Sequence, residues 1–209
     1  MSDAGTFLNW FVAALSAVLL AVIVISWLIS FRTQKTIAFG SSKWFSIPVW
    51  ALIGAGFAAL AFFGYLGYRL WIPLPISTPG GVLNLFRFAG LALFLAGWLL
   101  MLWARWALGG MYGVSTASAV RLRSQHRLVR HGPFAFIRHP MYLGIWLVLL
   151  GLTLLYRTWA PLVLLVIFLP LYRRAQREEA ALAATFGEEW QIYSARVPMF
   201  LPRLRRKGS

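Results

Sequence analysis

Arg174 and Glu178 stand four residues apart in a run of helix formers, so they share one helix face. Arginine offers a planar fork to a carboxylate or phosphate. Glutamate accepts hydrogen bonds from hydroxyls or an ammonium. Together they would hold an anionic acceptor beside a cofactor. The plainer alternative is an intrahelical ion pair worth roughly a few tenths of a kcal/mol. His139-Pro140-Met141-Tyr142 is the second candidate. Proline suits the first turn of a helix, where its missing N–H would be unpaired anyway. His139 then falls at the cap, near free backbone donors that suit a carboxylate or another anion. Its alternative reading is a capping histidine followed by an interfacial tyrosine.

Other chemistries lack their residues. The chain has three histidines and no cysteine. His126, His131 and His139 are not spaced as a helical pair, and no nearby acid completes a zinc site, so no metal is expected. Asp3 is the only aspartate, and no G-x-S-x-G elbow occurs, which removes Ser-His-Asp hydrolysis. Neither a G-x-G-x-x-G nor a phosphate-binding P-loop is present.

These groups sit in a chain of 209 residues that is 60% hydrophobic and 12% charged. Soluble domains carry about 25% charged residues, so the composition is that of an integral membrane protein. The length suits one domain over 1–209, with three N-terminal transmembrane helices in 1–108 and the candidate site in 109–209. Phe7–Phe31, Trp44–Tyr68 and Phe88–Ala104 are apolar runs long enough to cross roughly 30 Å of hydrocarbon. No basic residue precedes the first, and it exceeds a signal-peptide core of about 7–15 residues, so it reads as a span. Gly54, Gly56, Gly64 and Gly67 are expected to let a neighbouring helix approach the second span closely. Tyr142–Tyr156 and Thr158–Tyr172 are shorter and read as a tight hairpin, with Arg157 between them. The helix is expected to continue past Tyr172, with Gly187 as its C-terminal cap. A short helix from Glu188 to Ser194 follows, ended by Pro198. The fold class is therefore all-α, a helical bundle of five transmembrane helices with a C-terminal hairpin and cytoplasmic cofactor-binding segments.

Charge sets the expected orientation. Twenty Lys and Arg stand against five acids, a net +15. Such a balance suits nucleic-acid binding, but here the positives alternate between loops as the positive-inside rule describes. Arg32, Lys35 and Lys43 fill one loop, and segment 105–140 and the C-terminal part hold most of the rest. Residues 72–81 have none, and the hairpin tip has only Arg157. This places the N-terminus outside and the C-terminus and site in the cytoplasm. No nucleic-acid partner is expected, and the basic tail Arg203–Lys207 would face anionic lipid.

The order H-x-L-V-x-x-G-x-F-x-x-x-R-H-P-x-Y-x-G, an apolar hairpin, R-x-x-x-E, then F-G-E-E-W-x-x-Y-x-x-R-V-P-x-x-L-P resembles isoprenylcysteine carboxyl methyltransferase. Phospholipid N-methyltransferases and membrane sterol reductases are wider relatives. The resemblance covers about 126–202, and the first three spans add only hydrophobicity. It implies S-adenosylmethionine as cofactor and a lipophilic acceptor entering from the bilayer. Carried over by motif, His126, Arg127, Leu128, Val129, Phe134, His139, Pro140, Met141, Tyr142 and Glu178 would contact the cofactor. Arg174 would hold the acceptor carboxylate, with Arg196 in support. Arg174 and Glu178 are the residues expected to carry catalysis. Phe134 and Trp190 depart from the family, which often has tyrosine at both places.

A carboxylate acceptor needs no general base, because it is already ionised at neutral pH. Orientation and water exclusion can then supply several kcal/mol of the barrier. An amine acceptor must first lose a proton, which would give His or Glu a base role. Three other readings remain open at this point: an amine or phospholipid N-methyltransferase, an NADPH-dependent membrane reductase, and a non-enzymatic transporter or assembly subunit. Against the reductase, Ile145 stands where those relatives tend to carry an acid.

Overall fold

A computed structural model describes residues 3–33, 36–39, 49–77, 79–109, 120–123 and 128–201. His126, Arg127 and the basic tail lie outside the described residues. The helices are α1 (Asp3–Thr33), α2 (Val49–Arg69), α3 (Gly80–Leu108), α4 (Pro140–Tyr156), α5 (Trp159–Ile167), α6 (Leu171–Phe186) and α7 (Glu188–Arg196). A 3-10 turn, Gly132–Ala135, precedes α4. The described residues are mainly helical, as expected. One unexpected addition is a short antiparallel ribbon of β1 (Thr36–Phe39) and β2 (Val120–Arg123), with Ile37 opposite Leu122.

Two helical segments, Thr6–Ile25 and Gly80–Leu108, are long and apolar enough to cross a bilayer among the described residues. Pro140–Tyr156 is equally apolar but shorter. The expected run Thr158–Tyr172 divides. α5 has nine residues, or roughly 14 Å of helix. A turn at Phe168–Pro170 separates it from α6, because Pro170 has no N–H to continue the ladder.

The centre of the bundle is the pair α3–α4. Each helix carries two glycines one heptad apart, Gly90 and Gly97 on α3 and Gly144 and Gly151 on α4. A Cβ on Gly97 would lie 2.6 Å from the Gly144 carbonyl oxygen, and one on Gly151 would lie 2.5 Å from the Phe94 nitrogen. The backbones touch, as small residues permit within membranes. Phe94 is fully buried and packs with Val12 of α1 and Leu155 of α4. Trp98 Nε1 donates to the Leu15 carbonyl at 2.9 Å, which ties α1 to the pair.

The glycines of α2 behave differently from expectation. At Gly54, Gly56, Gly64 and Gly67 a Cβ would meet no atom of the described residues within 4 Å. The close approach occurs instead on α3 and α4, whose heptad spacing repeats one face.

Candidate functional site

α4 begins where the site lies. Pro140 is its first residue, and His139 caps it without a side-chain hydrogen bond. The N–H groups of Met141 and Tyr142 belong to that first turn and have no acceptor within the helix. α6 supplies the opposite wall. Its Ala175 is fully buried, and so small a residue brings Glu178 and Glu179 up to the α4 turn. Arg173, Arg177 and Ala180 occupy its exposed side. α6 ends at Gly187, where a φ of 50° suits glycine and reverses the chain into α7.

Three side chains meet at one point. The Tyr142 hydroxyl donates to Glu178 Oε1 at 2.5 Å. Arg174 Nε donates to the Tyr142 oxygen at 2.8 Å and lies 3.2 Å from Glu178 Oε1. The spacing in α6 is therefore more than a surface ion pair, because a tyrosine from α4 bridges it. The His139 ring stacks on Tyr142, with centroids 5.6 Å apart and planes within 2°. His139 Nδ1 is 3.9 Å from Glu178 Oε2, beyond hydrogen-bond reach.

A second network lies beside it, built on Glu179 of α6 and on Arg138, two residues before α4. Arg138 grips Glu179 with Nε at 2.8 Å and Nη2 at 3.0 Å. Its Nη1 donates to the carbonyls of Ser194 and Val197 at 2.7 and 2.9 Å. His139 Nε2 donates to Glu179 Oε1 at 3.0 Å, since a carboxylate can only accept. The backbone joins in: the N–H of Arg138 donates to Pro198 and that of His139 to Met199. Burial raises the Glu179 carboxyl, but the His139 hydrogen bond and the Arg138 guanidinium outweigh it and hold the group below the usual carboxylate range.

α7 closes this side. Trp190, Tyr193 and Val197 form a buried cluster against which Leu128 packs. The Tyr193 hydroxyl donates to the Phe134 carbonyl at 2.7 Å. Burial pushes the Tyr193 phenol up to about 12. The Arg138 guanidinium lies 5.7 Å over the Trp190 ring. Phe200 packs on His139 at 5.7 Å and on Trp146 at 4.8 Å.

The expected residues therefore divide. His139, Tyr142, Arg174 and Glu178 come together, with Pro140 and Met141 in the same turn. Leu128 packs instead on the α7 cluster, Phe134 meets α7 through its carbonyl, and Val129 is half-buried. Arg196 is exposed in the last turn of α7 and makes no ion pair with this group among the described residues. Sequence reasoning missed Arg138, Glu179 and Tyr193. The signal was available in two adjacent pairs, Arg138-His139 and Glu178-Glu179, which face each other across the site.

Comparison with known proteins decides the family. The phospholipid methyltransferase family model matches residues 85–189, half of the chain. The chain belongs to the phospholipid methyltransferase family. The match begins in α3, so it takes in the third span. It contains the Tyr142, Arg174 and Glu178 group and the Arg138–Glu179 pair. A protein-S-isoprenylcysteine O-methyltransferase from Schizosaccharomyces pombe is 33% identical over 86 residues, 40% of this chain and 36% of that one. This agrees with the resemblance drawn from the motifs. A cobalt-zinc-cadmium resistance protein, CzcN, from Cupriavidus metallidurans is 36% identical over 104 residues, 46% of this chain and 48% of that one. The chain thus matches less than half the length of either relative. The family and the apolar helices make it a membrane protein.

Proposed function

We propose that the chain is a membrane methyltransferase that uses S-adenosylmethionine and methylates the carboxylate of a lipophilic acceptor. The observation that carries this is the junction of Tyr142 with Arg174 and Glu178, inside the family match. The donor set fits such a cofactor. Glu178 offers carboxylate oxygens to hydroxyls or an ammonium, and the first turn of α4 offers N–H groups to a carboxylate. When bound, the cofactor supplies a methyl group on a sulfonium. The candidates to hold it are His139, Pro140, Met141, Tyr142 and Glu178, with His126, Arg127, Leu128, Val129 and Phe134 carried over by motif.

Arg174 is the acceptor residue in this reading. Its guanidinium would hold the carboxylate and fix its angle of approach, while Tyr142 holds the guanidinium. No base is needed. Glu179 and Arg138 fix the His139 turn and touch no reactant. Arg196 has at most a distant supporting part. The five-span arrangement, with the N-terminus outside and the site cytoplasmic, completes the proposal, and its warrant is the alternation of basic loops.

The family description favours a second reading, methylation of a phospholipid amine. Arg174 would then face the phosphate, and His139 Nδ1 or Glu178 would take the amine proton, because His139 Nε2 is already engaged by Glu179. One experiment separates the two. The purified chain is given methyl-labelled cofactor with membrane lipid extract, and the labelled product is treated with base. A base-labile product is the ester expected here. A stable methylamine would replace it with the second reading, and no labelled lipid from any extract would contradict both.

A further inference from the structure

Arg157 and Thr158 lie at the other end of α4 from Tyr142. α4 has 17 residues, which puts roughly 25 Å between its ends. At this remote end, residues 70–76 clasp residues 157–160. The Leu74 N–H donates to the Arg157 carbonyl at 2.7 Å, the Trp159 N–H to Ile72 at 3.1 Å, and the Ala160 N–H to Leu70 at 2.9 Å. Pro73 bridges to Thr158. The backbone is satisfied.

The side chains are not. Arg157 Nη1 and Thr158 Oγ1 are both buried, and neither has a hydrogen-bond partner among the described residues. Thr158 is 5% exposed and stands at the N-cap of α5 without capping it. Arg157 Nη2 has only a long bond, 3.3 Å, to the Ile76 carbonyl. Buried donors without partners are rare in native proteins, and they cost most when charged. Two of them on adjacent residues, one cationic, call for a group that only accepts and carries negative charge.

The surroundings say what depth that group occupies. The Trp71 ring packs 5.0 Å from Tyr156. Trp71 also lines a cleft of about 650 Å³ with Gly67, Tyr68 and Arg69. Trp159 is exposed in the next residue. Tryptophan and tyrosine rings settle at the headgroup level of a bilayer.

We propose that this clasp binds the phosphate of a lipid headgroup, with Arg157 and Thr158 as its buried donors. It is a site separate from the Glu178 group and does not depend on the methyltransferase reading. Inorganic phosphate shares the chemistry but not the two apolar chains that the aromatic rings would meet.

The test is a thermal melt of the full chain in dodecyl maltoside with three additives: short-chain phosphatidic acid, the matching diacylglycerol, and inorganic phosphate. Phosphatidic acid should raise the melting temperature by roughly 3 °C or more, as a ligand of the native state does. Diacylglycerol should leave it unchanged. Arg157→Gln and Thr158→Val should each abolish the rise. Thr158→Val replaces an unpartnered hydroxyl with an isostere, so it should melt like wild type without lipid and keeps the test valid if Arg157→Gln does not fold. An equal rise with inorganic phosphate would overturn the lipid as the source. No rise with either phosphate, or the same rise in Thr158→Val, would overturn the site.

Discussion

Glu178 and Glu179 are neighbours on α6 and face neighbouring residues of one turn, yet they serve different ends. Glu179 is gripped by two nitrogens of Arg138 and one of His139. The remaining Arg138 nitrogen caps two carbonyls at the end of α7. That half is a clamp joining α4, α6 and the segment after α7. Glu178 meets a phenol and a guanidinium through one oxygen. A tyrosine hydroxyl and an arginine can exchange such a partner for a ligand at little cost, because each contact is replaced in kind. The difference teaches that two adjacent acids on one helix can divide: one is held in a clamp, and the other, on the proposed function, is left to a ligand.

The largest expected effect falls on the fixed side. Arg138→Ala removes both of its bonds to Glu179, leaves a part-buried carboxylate to His139 alone and frees two carbonyls, which should cost about 3 kcal/mol. A melt in detergent measures it; an unchanged midpoint would erase the contrast. Next comes Glu178→Gln. It should abolish methyl transfer while moving stability by less than about 1 kcal/mol. A destabilisation as large as that of Arg138→Ala would make the two acids alike.

Acidification sharpens the same contrast. The Glu179 carboxyl is held below its ordinary range. Its stabilisation is therefore fully present above the unfolded-state value of about 4.3 and is lost as pH falls through the lower folded value. The stability gap between wild type and Glu179→Gln should close over that acid window, and a gap that persists there would contradict the clamp. The smallest effect is Arg196→Ala. An exposed arginine without a partner in the site should change neither stability nor methyl transfer by more than about twofold, or 0.4 kcal/mol.

Much of this was legible before the coordinates. Arg174 and Glu178 share a face because helical geometry fixes it, and Pro140 and Gly187 mark helix ends through their own backbone limits. The meeting of Tyr142 with Glu178 could be read only from family order, since nothing local says that α6 folds back on α4. Glycine misled. Four glycines in α2 looked like a contact face and meet nothing among the described residues, while Gly90, Gly97, Gly144 and Gly151 carry the packing. The useful signal was the shared seven-residue spacing on two helices, which density alone does not convey. Pro170 was visible, but apolar residues on both sides hid the break it makes between α5 and α6. Arg138 and Glu179 were hidden by their neighbours, because a lone sequence does not say which of two adjacent charges turns inward.

The central claim is that Glu178 belongs to a cofactor site. Calorimetry with S-adenosylhomocysteine on the purified wild type and on Glu178→Gln tests it directly. The account predicts binding to wild type and at least a tenfold loss, about 1.4 kcal/mol, in a variant whose melting temperature is unchanged. Equal affinity in the two folded proteins would contradict it.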